Sequence, residues 1–330
     1  MKKIVDDERL IYKVCCLYYQ DNMNQKEVAD YLGVSRSSIL RMLQKGKELG
    51  IVTIELHNPR FYDYGEMEKA LERAYGLKDV VIVENSVLDT ISESTAYLFG
   101  SAADYLHGFF KEGDRIGVAM GTTLNNVVST NKVYDKYKNL LFVAMEGGIS
   151  RGTIDSIDVQ GNEIARKFAD KFGGSYSQFL SPAVFSDKSV LDYFMNEKAV
   201  NYILDEFKKL NVIVVGIGVP DNSVNHTLEK AGYITPAELR QLVDNGAVGD
   251  LCLQFFDKDG NPDRFSFYNE RVAAMSLGDI RRIPSKIGIA GGTRKSEAVV
   301  GAIRGGYINI LITDGECAKR LYEMSQHVIE

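Results

Sequence analysis

Residues 24–49, Asn24-Gln25-Lys26-Glu27-Val28-Ala29-Asp30-Tyr31-Leu32-Gly33-Val34-Ser35-Arg36-Ser37-Ser38-Ile39-Leu40-Arg41-Met42-Leu43-Gln44-Lys45-Gly46-Lys47-Glu48-Leu49, read as two short helices joined by a tight turn. Val28 and Leu32 form one apolar face of the first helix, and Ala29 is small where a second helix must cross it. Gly33 supplies the turn, because a residue without Cβ takes a positive φ at little cost. Val34 is expected as the buried residue of the turn, and Ser35 has the chemistry to cap the second helix. Ile39, Met42 and Leu43 recur at helical spacing and point inward. Arg36, Ser37, Ser38, Arg41 and Lys45 are left on the other face, with Gln25 at the start of the first helix. Such a helix carries hydrogen-bond donors and positive charge into a DNA major groove, its N-terminal residues nearest the base edges. An ordinary two-helix corner with a solvated basic face is the alternative; the full series of signals in one window favours the DNA-binding helix-turn-helix.

The 330 residues suit one small module plus a large domain. The net charge of −6 is unevenly spread. Residues 1–58 hold nine Lys/Arg against eight Asp/Glu, and the remainder holds 30 against 37. DNA affinity needs local neutralisation of phosphates, not a basic chain throughout. An acidic body with a small basic face fits a regulator better than a general DNA-coating protein. No apolar run approaches the roughly 20 residues that span a bilayer, so no membrane partner is expected. Met1–Glu8 turns acidic where a signal peptide would be apolar, which points to the cytoplasm. Cys15, Cys16, Cys252 and Cys317 show neither zinc-ligand spacing nor a disulfide framework; buried thiols in a reducing compartment are expected.

A helix over 6–20, with Leu10, Val14, Leu17 and Tyr18 on one face, precedes the paired helices. Ile51-Val52-Thr53-Ile54-Glu55-Leu56 alternates as a short strand after them. His57-Asn58-Pro59 marks the boundary between a domain of residues 1–58 and one of residues 59–330, and a helix over 64–75 ends at Gly76. Beyond residue 78 the pattern becomes α/β. Strands are expected at Val80–Val83, Arg115–Ala119, Leu140–Ala144, Val212–Val215, Lys286–Ala290 and Ile308–Ile312. Their uninterrupted apolar character suits a parallel sheet buried on both faces. Helices near 90–110, 122–130, 158–172, 197–209, 235–244, 293–304 and 315–326 complete a doubly wound body. Gly249–Asn261 looks instead like an antiparallel excursion. Asp257, Asp259 and Asn261 have the look of a calcium loop, but the last liganding Glu is missing and the flanks are strands.

In an open α/β sheet, ligands bind outside the carboxyl ends of the strands. Here several strands end in glycine-rich polar turns: Met120-Gly121-Thr122-Thr123, Met145-Glu146-Gly147-Gly148, Gly216-Ile217-Gly218 and Gly291-Gly292-Thr293-Arg294-Lys295. Glycines let backbone N–H groups approach a ligand, helix N-termini favour anions, and Thr122, Thr123, Thr293 and Lys295 add donors. Gly216-Ile217-Gly218 lacks the third glycine of a dinucleotide fingerprint, and Gly291-Gly292 does not continue into a P-loop. A small phosphorylated molecule is therefore expected rather than a nucleotide.

With Gln25–Leu32, Val34–Leu43, Gly121-Thr122-Thr123, Gly147-Gly148, Val248-Gly249-Asp250, Phe255-Phe256-Asp257 and Ala290-Gly291-Gly292 followed by Lys295, nearly the whole chain resembles the SorC family of bacterial transcriptional regulators, and within it the deoxyribonucleoside-type branch. The resemblance implies a helix-turn-helix domain joined to a Rossmann-like sugar-binding domain similar in fold to glucosamine-6-phosphate deaminase and ribose-5-phosphate isomerase. It implies a phosphorylated-sugar effector, operator DNA as the other partner, a homo-oligomer (tetramer or dimer), and most often repression. By motif it implies that Gly121, Thr122, Thr123, Gly292 and Lys295 hold phosphate, while Glu146, beside Gly147 and Gly148, and Asp250 face the sugar. Members that sense deoxyribose phosphate resemble this chain at Gly147-Gly148-Ile149-Ser150 but carry Lys immediately before the two glycines. Here that residue is Glu146, and a carboxylate cannot condense with an aldehyde. A non-covalent effector follows, a phosphorylated sugar or polyol. No metal, cofactor or catalytic residue is expected. The competing reading is an isomerase- or deaminase-type enzyme with a DNA-binding appendage, using Glu146 and Asp250 as its acid/base pair; none of the four histidines falls at an expected strand end. A purely architectural DNA module would not carry so large an acidic α/β body.

Overall fold

The computed structural model describes residues 7–53, 64–84, 91–148, 158–220 and 234–326, and the chain divides into two compact units, Met1–Asp63 and Tyr64–Glu330. The division falls five residues beyond the His57-Asn58-Pro59 break.

The first unit holds α1 (Glu8–Cys15), α2 (Gln25–Leu32) and α3 (Arg36–Glu48). Each helix starts at a residue that satisfies its first orphan N–H groups. The Asp7 carboxylate accepts from the amides of Arg9 and Leu10. Asn24 and Glu27 form a reciprocal capping box, and Ser35 Oγ accepts from the Ser38 amide at 3.2 Å. Gly33 ends α2 at φ 65°, the left-handed value the turn requires. The helix expected over 6–20 is α-helical only to Cys15; Cys16–Gln20 form a π turn. Its inward residues are Ile11, Val14 and Cys15, whereas Leu10, Leu17 and Tyr18 only flank the core. These pack on Val28, Ala29, Ile39, Met42 and Leu43, and Val34 is half-buried rather than buried. Ile51 and Val52 lie in a bend, not a strand, and residues 54–56 of that expected strand lie outside the described residues.

The second unit is built on a seven-stranded sheet of order β1-β9-β8-β5-β2-β3-β4, every neighbouring pair parallel. The strands are β1 (Asp79–Val83), β2 (Arg115–Val118), β3 (Tyr137–Ala144), β4 (Gly173–Ser177), β5 (Val212–Gly216), β8 (Ser285–Ile289) and β9 (Ile310–Asp314). Helices Ile91–Phe109, Thr122–Val128, Gly161–Phe172, Lys198–Phe207, Ser296–Arg304 and Gly315–Gln326 fall where helical periodicity places them. The last strand begins two residues later than its apolar run suggests. Helix Lys188–Met195 and strand β4 were not expected. The Gly-Gly-Ser-Tyr-Ser run of β4 has no apolar signature, because it is a solvated edge rather than a buried strand.

The chain runs outward along β2, β3 and β4, then returns to β5 beside β2 and proceeds the other way through β8 and β9. In open α/β sheets such a reversal, here between β2 and β5, is where ligands bind, at the carboxyl ends of the strands. The expected antiparallel excursion is present as β6 (Ala247–Leu251) and β7 (Gln254–Asp257), joined by Cys252 and Leu253 at φ 49° and 65°. Two positive φ values fit a type I′ hairpin, whose usual residues are Asn and Gly. Here the turn carries buried side chains instead. Asp257 folds the next turn by accepting from the amides of Asp259 and Asn261, and no metal-ligand cluster occurs among the described residues.

Gly46 of α3 sits where α1 crosses; a Cβ there would lie 2.5 Å from Cys15 Sγ. Gly46→Val is expected to cost about 1–3 kcal/mol through overpacking, and adding Cys15→Ala is expected to restore part of it. Denaturant unfolding followed by circular dichroism tests this; an unchanged midpoint for Gly46→Val would show that the helices do not cross here.

Candidate functional site

At the β2–β5 reversal the structure brings together four of the turns singled out above. Thr123 lies on Gly216, where a Cβ would come 3.4 Å from the threonine Cβ. Gly218 and Asp250 exchange backbone hydrogen bonds, Gly218 N–H to Asp250 O at 3.0 Å and Asp250 N–H to Gly218 O at 3.2 Å. This ties the β6–β7 hairpin to the end of β5. A Cβ on Gly218 would sit 1.9 Å from Asp250 Oδ1, so the carboxylate occupies the space a side chain would fill. Lys295, in the turn after β8, donates to Ile217 O at 2.7 Å. Burial holds its ammonium below the ordinary lysine range, while the nearby Asp250 carboxylate pulls the other way.

Glu146, two residues beyond the end of β3, has no solvent exposure. The Met120 amide donates to its Oε1, and Gly161, at the start of its helix, stands against the same oxygen. Its Oε2 is buried without a geometrically formed hydrogen bond among the described residues. The Cys252 thiol lies beside the carboxyl, and Asp250 adds negative charge. Burial pushes the Glu146 carboxyl up to about 7; the Met120 amide and the thiol oppose the shift, and Asp250 adds to it. Burial also pushes the Cys252 thiol well up, with Glu146 reinforcing it. This thiol is therefore a neutral hydrogen-bonding group rather than a nucleophile.

The glycines differ from expectation in one respect. Gly121 N–H donates to Val159 O, Gly147 N–H to Ala273 O, Gly148 N–H to Ser181 O and Gly292 N–H to Asp314 Oδ2, at 2.7–2.9 Å. Their amides thus face protein acceptors rather than a ligand. Gly147 and Gly291 serve close approach, a Cβ on the first coming 2.5 Å from Pro182 O and on the second 2.6 Å from Asp314 Oδ2, whereas Gly121 and Gly292 have open space there and serve their positive φ of 125° and 85°. The donors not taken by protein acceptors among the described residues are the Thr122 and Thr123 hydroxyls, the first-turn amides ahead of the Asn125–Gly121 bond, and the remaining protons of Lys295. Lys295 closes a 3₁₀ turn, Thr293–Lys295, rather than opening the helix itself.

Cys252 and Asp314 escaped the sequence reading. A lone cysteine carries no motif, and an aspartate ending a strand is common. Asp314 accepts from both the Gly292 and Cys317 amides, so it joins the glycine turn to the next helix.

In the first unit, Arg36, Ser37 and Arg41 are exposed on α3, and Ser38 and Lys45 are half-buried. Arg36 Nε donates to Gln25 Oε1 at 3.3 Å, linking the first turns of α2 and α3. Ser35 Oγ also contacts the Ser37 and Ser38 hydroxyls, so its first duty is the cap.

The sugar-binding domain family matches residues 60–323. The chain is 31% identical to the deoxyribonucleoside regulator of Bacillus subtilis over 317 residues, 96% of this chain and 98% of that protein. It is 28% identical to the sorbitol operon regulator of Klebsiella pneumoniae over 320 residues, 96% of this chain and 98% of that one. The crystal structure of the full-length sorbitol operon regulator SorC from Klebsiella pneumoniae superposes with a TM-score of 0.71 at 26% identity, covering 96% of this chain and 99% of the other.

A carboxyl whose folded pKa lies above its ordinary value binds protons that the unfolded chain has lost. The stability from neutral Glu146 is therefore fully present below about 4.5 and is lost as pH rises through about 7. The shift corresponds to on the order of 3 kcal/mol between these limits. Glu146→Gln is expected to flatten this pH dependence. Urea midpoints at pH 4.5–7.5 check it, and parallel curves for the two proteins would refute a buried neutral Glu146.

Proposed function

This chain belongs to the SorC family of sugar-binding transcriptional regulators, and from that membership we propose that it represses a carbohydrate operon and that a phosphorylated sugar or polyol controls its grip on the operator. The relatives are named as regulators, of deoxyribonucleosides and of a sorbitol operon among them, and the chain matches a sugar-binding domain family; sugar-responsive transcriptional regulation is the function of this chain. The phosphate reading rests on the juxtaposition of Lys295, Asp250 and the Gly121-Thr122-Thr123 turn at the strand-order reversal. There the lysine and threonine donors take the phosphate. Gly121, Gly147, Gly148 and Gly292 shape the walls. Asp250 and the unsatisfied Oε2 of Glu146 take sugar hydroxyls. A carboxyl at position 146 forms no imine, so the effector binds reversibly and without a covalent bond. The protein acts as a regulator and not as an isomerase, in the cytoplasm and as a homo-oligomer.

The DNA-binding half of the proposal rests on α3. Gly33 and the Ser35 cap set it behind α2 with Arg36, Ser37 and Arg41 in solvent. In a helix-turn-helix this is the recognition helix, with Arg36 and Arg41 at base edges and Gln25, Ser35, Ser38 and Lys45 near phosphates. Duplexes selected by the protein from a random pool provide the test. Arg36→Ala or Arg41→Ala is expected to weaken binding by about 1–3 kcal/mol where the arginine reads a guanine. A phosphate contact would instead weaken all sequences alike and reduce the salt slope. Unchanged binding in both variants would refute the assignment of α3.

For the effector, calorimetry against a panel of five- and six-carbon sugar phosphates and polyol phosphates is expected to find one that binds and is recovered chemically unchanged. Lys295→Ala should weaken it by about tenfold to a hundredfold, the loss of one charge-assisted hydrogen bond, and leave ligand-free DNA binding intact. Wild-type effector affinity in the variant would remove Lys295 from the site, and turnover of the sugar phosphate would favour the enzyme reading.

A further inference from the structure

The two edges of the seven-stranded sheet are finished differently. At β1 the outward amides are taken by helix Gly65–Tyr75: Glu72 Oε1 accepts from Val80 N–H at 3.3 Å and Glu68 Oε1 from Ile82 N–H at 2.8 Å. Two carboxylates one helical turn apart thus close that edge to other strands. At the other end, Gly174, Ser175 and Tyr176 of β4 are exposed. An exposed strand edge is a row of backbone donors and acceptors, and its natural complement is another strand.

The surroundings of β4 have the composition of a contact surface. Residues 173–186 hold no charged side chain, in a chain where a quarter of the residues are charged. Among the described residues of the second unit, eight large apolar or aromatic side chains are counted as exposed, and five of them fall between 176 and 202: Tyr176, Leu180, Val190, Tyr193 and Tyr202. Leu180 is 69% exposed and Tyr193 79%. The Tyr202 hydroxyl donates to Gln178 O, which fixes that ring beside the segment leaving β4. Tyrosine-rich, charge-depleted patches are typical of the centres of protein interfaces.

We propose that the β4 edge and the patch of Tyr176, Leu180 and Tyr202 form the contact with a second copy of this chain, two β4 strands pairing antiparallel about a two-fold axis. The inference gives a surface to the homo-oligomer reading and rests on it. Charge selects the occupant. Residues 59–330 carry 30 Lys/Arg against 37 Asp/Glu, so two such bodies repel each other over most of their surface. The uncharged strip is where like can meet like at no electrostatic cost, whereas DNA and other polyanions gain nothing there. A strand edge set against itself by a two-fold is antiparallel, the pairing that short strands make best, and the contact is isologous and closes on itself.

The test is the mass of the full-length protein by sedimentation at micromolar concentration, for the wild type, Tyr176→Pro and Leu180→Asp. The Ser175 amide faces β3, because Leu141 opposite it turns its own amide to Asp114 O, so the amide of Tyr176 faces outward. Proline at 176 removes that edge amide and leucine-to-aspartate sets like charges across the axis, so the two variants act by different routes. Circular dichroism checks that each variant remains folded. The expected result is a wild type of at least twice the chain mass and folded variants of half the wild-type mass. A monomeric wild type would overturn both the oligomer reading and this surface. An oligomeric wild type whose folded variants keep its mass would overturn the surface alone, as would Tyr176→Pro and Leu180→Asp disagreeing when both are folded.

Discussion

The pair of backbone hydrogen bonds between Gly218 and Asp250 is the constraint on which the candidate site turns. It fastens the β6–β7 hairpin, which lies outside the main sheet, to the carboxyl end of β5. With the bonds of Gln254 to Met275 O and of Phe255 to Asn269, that attachment delivers Asp250 to Lys295 and sets Cys252 beside Glu146. It is possible only because Gly218 has no Cβ, since the Asp250 carboxylate fills that volume. The left-handed turn at Cys252 and Leu253 follows from the same arrangement. Both side chains are needed inside, so the turn takes its strained φ values with a thiol and an isobutyl group where Asn and Gly would be easier.

Charge is distributed around this attachment with care for burial. A lone buried carboxylate or ammonium is strongly unfavourable. Lys295 is offset by Asp250 and by the Ile217 carbonyl. Glu146 is instead held toward its neutral acid form, mainly by its burial and further by the like-charged Asp250. With its carboxyl pushed up to about 7, Glu146 is part-protonated near neutral pH, so the proposed site has a cationic end and an end of reduced negative charge. That is the polarity a monophosphorylated polyol presents: a dianion at one end and hydroxyls along the rest.

Much of the architecture was legible in the residues. Alternating buried strands and helices, the parallel sheet, and the hairpin at Gly249–Asn261 all leave a periodic or compositional trace. The helices of the first unit do so too, through Gly33 and Ser35, whereas the capping box at Asn24 was seen only in the structure. What left no trace was marginal to burial. Strand β4 is solvated and rich in small residues, so neither hydrophobic periodicity nor β-branching announces it. The short Ile51–Leu56 alternation suggested a strand, but Ile51 and Val52 lie in a bend. Alternation alone does not supply a pairing partner, and a strand exists only when another strand offers one.

For the site, sequence by itself determined the chemistry available: glycine-rich turns at strand ends, threonine hydroxyls, one lysine after the fifth predicted strand, and carboxyls at positions 146 and 250. Side-chain type and local turn propensity are properties of short segments, so they can be read without the fold. The tertiary structure alone decided which of these groups meet. Residues 120, 146, 217, 250, 252 and 295 are far apart in the chain and converge only because the strand order reverses between β2 and β5. It also decided that the glycine amides face the protein, and that Glu146 is buried and held toward its acid form. Hydrogen-bond partners and solvent access are set by long-range packing, and no local pattern encodes them.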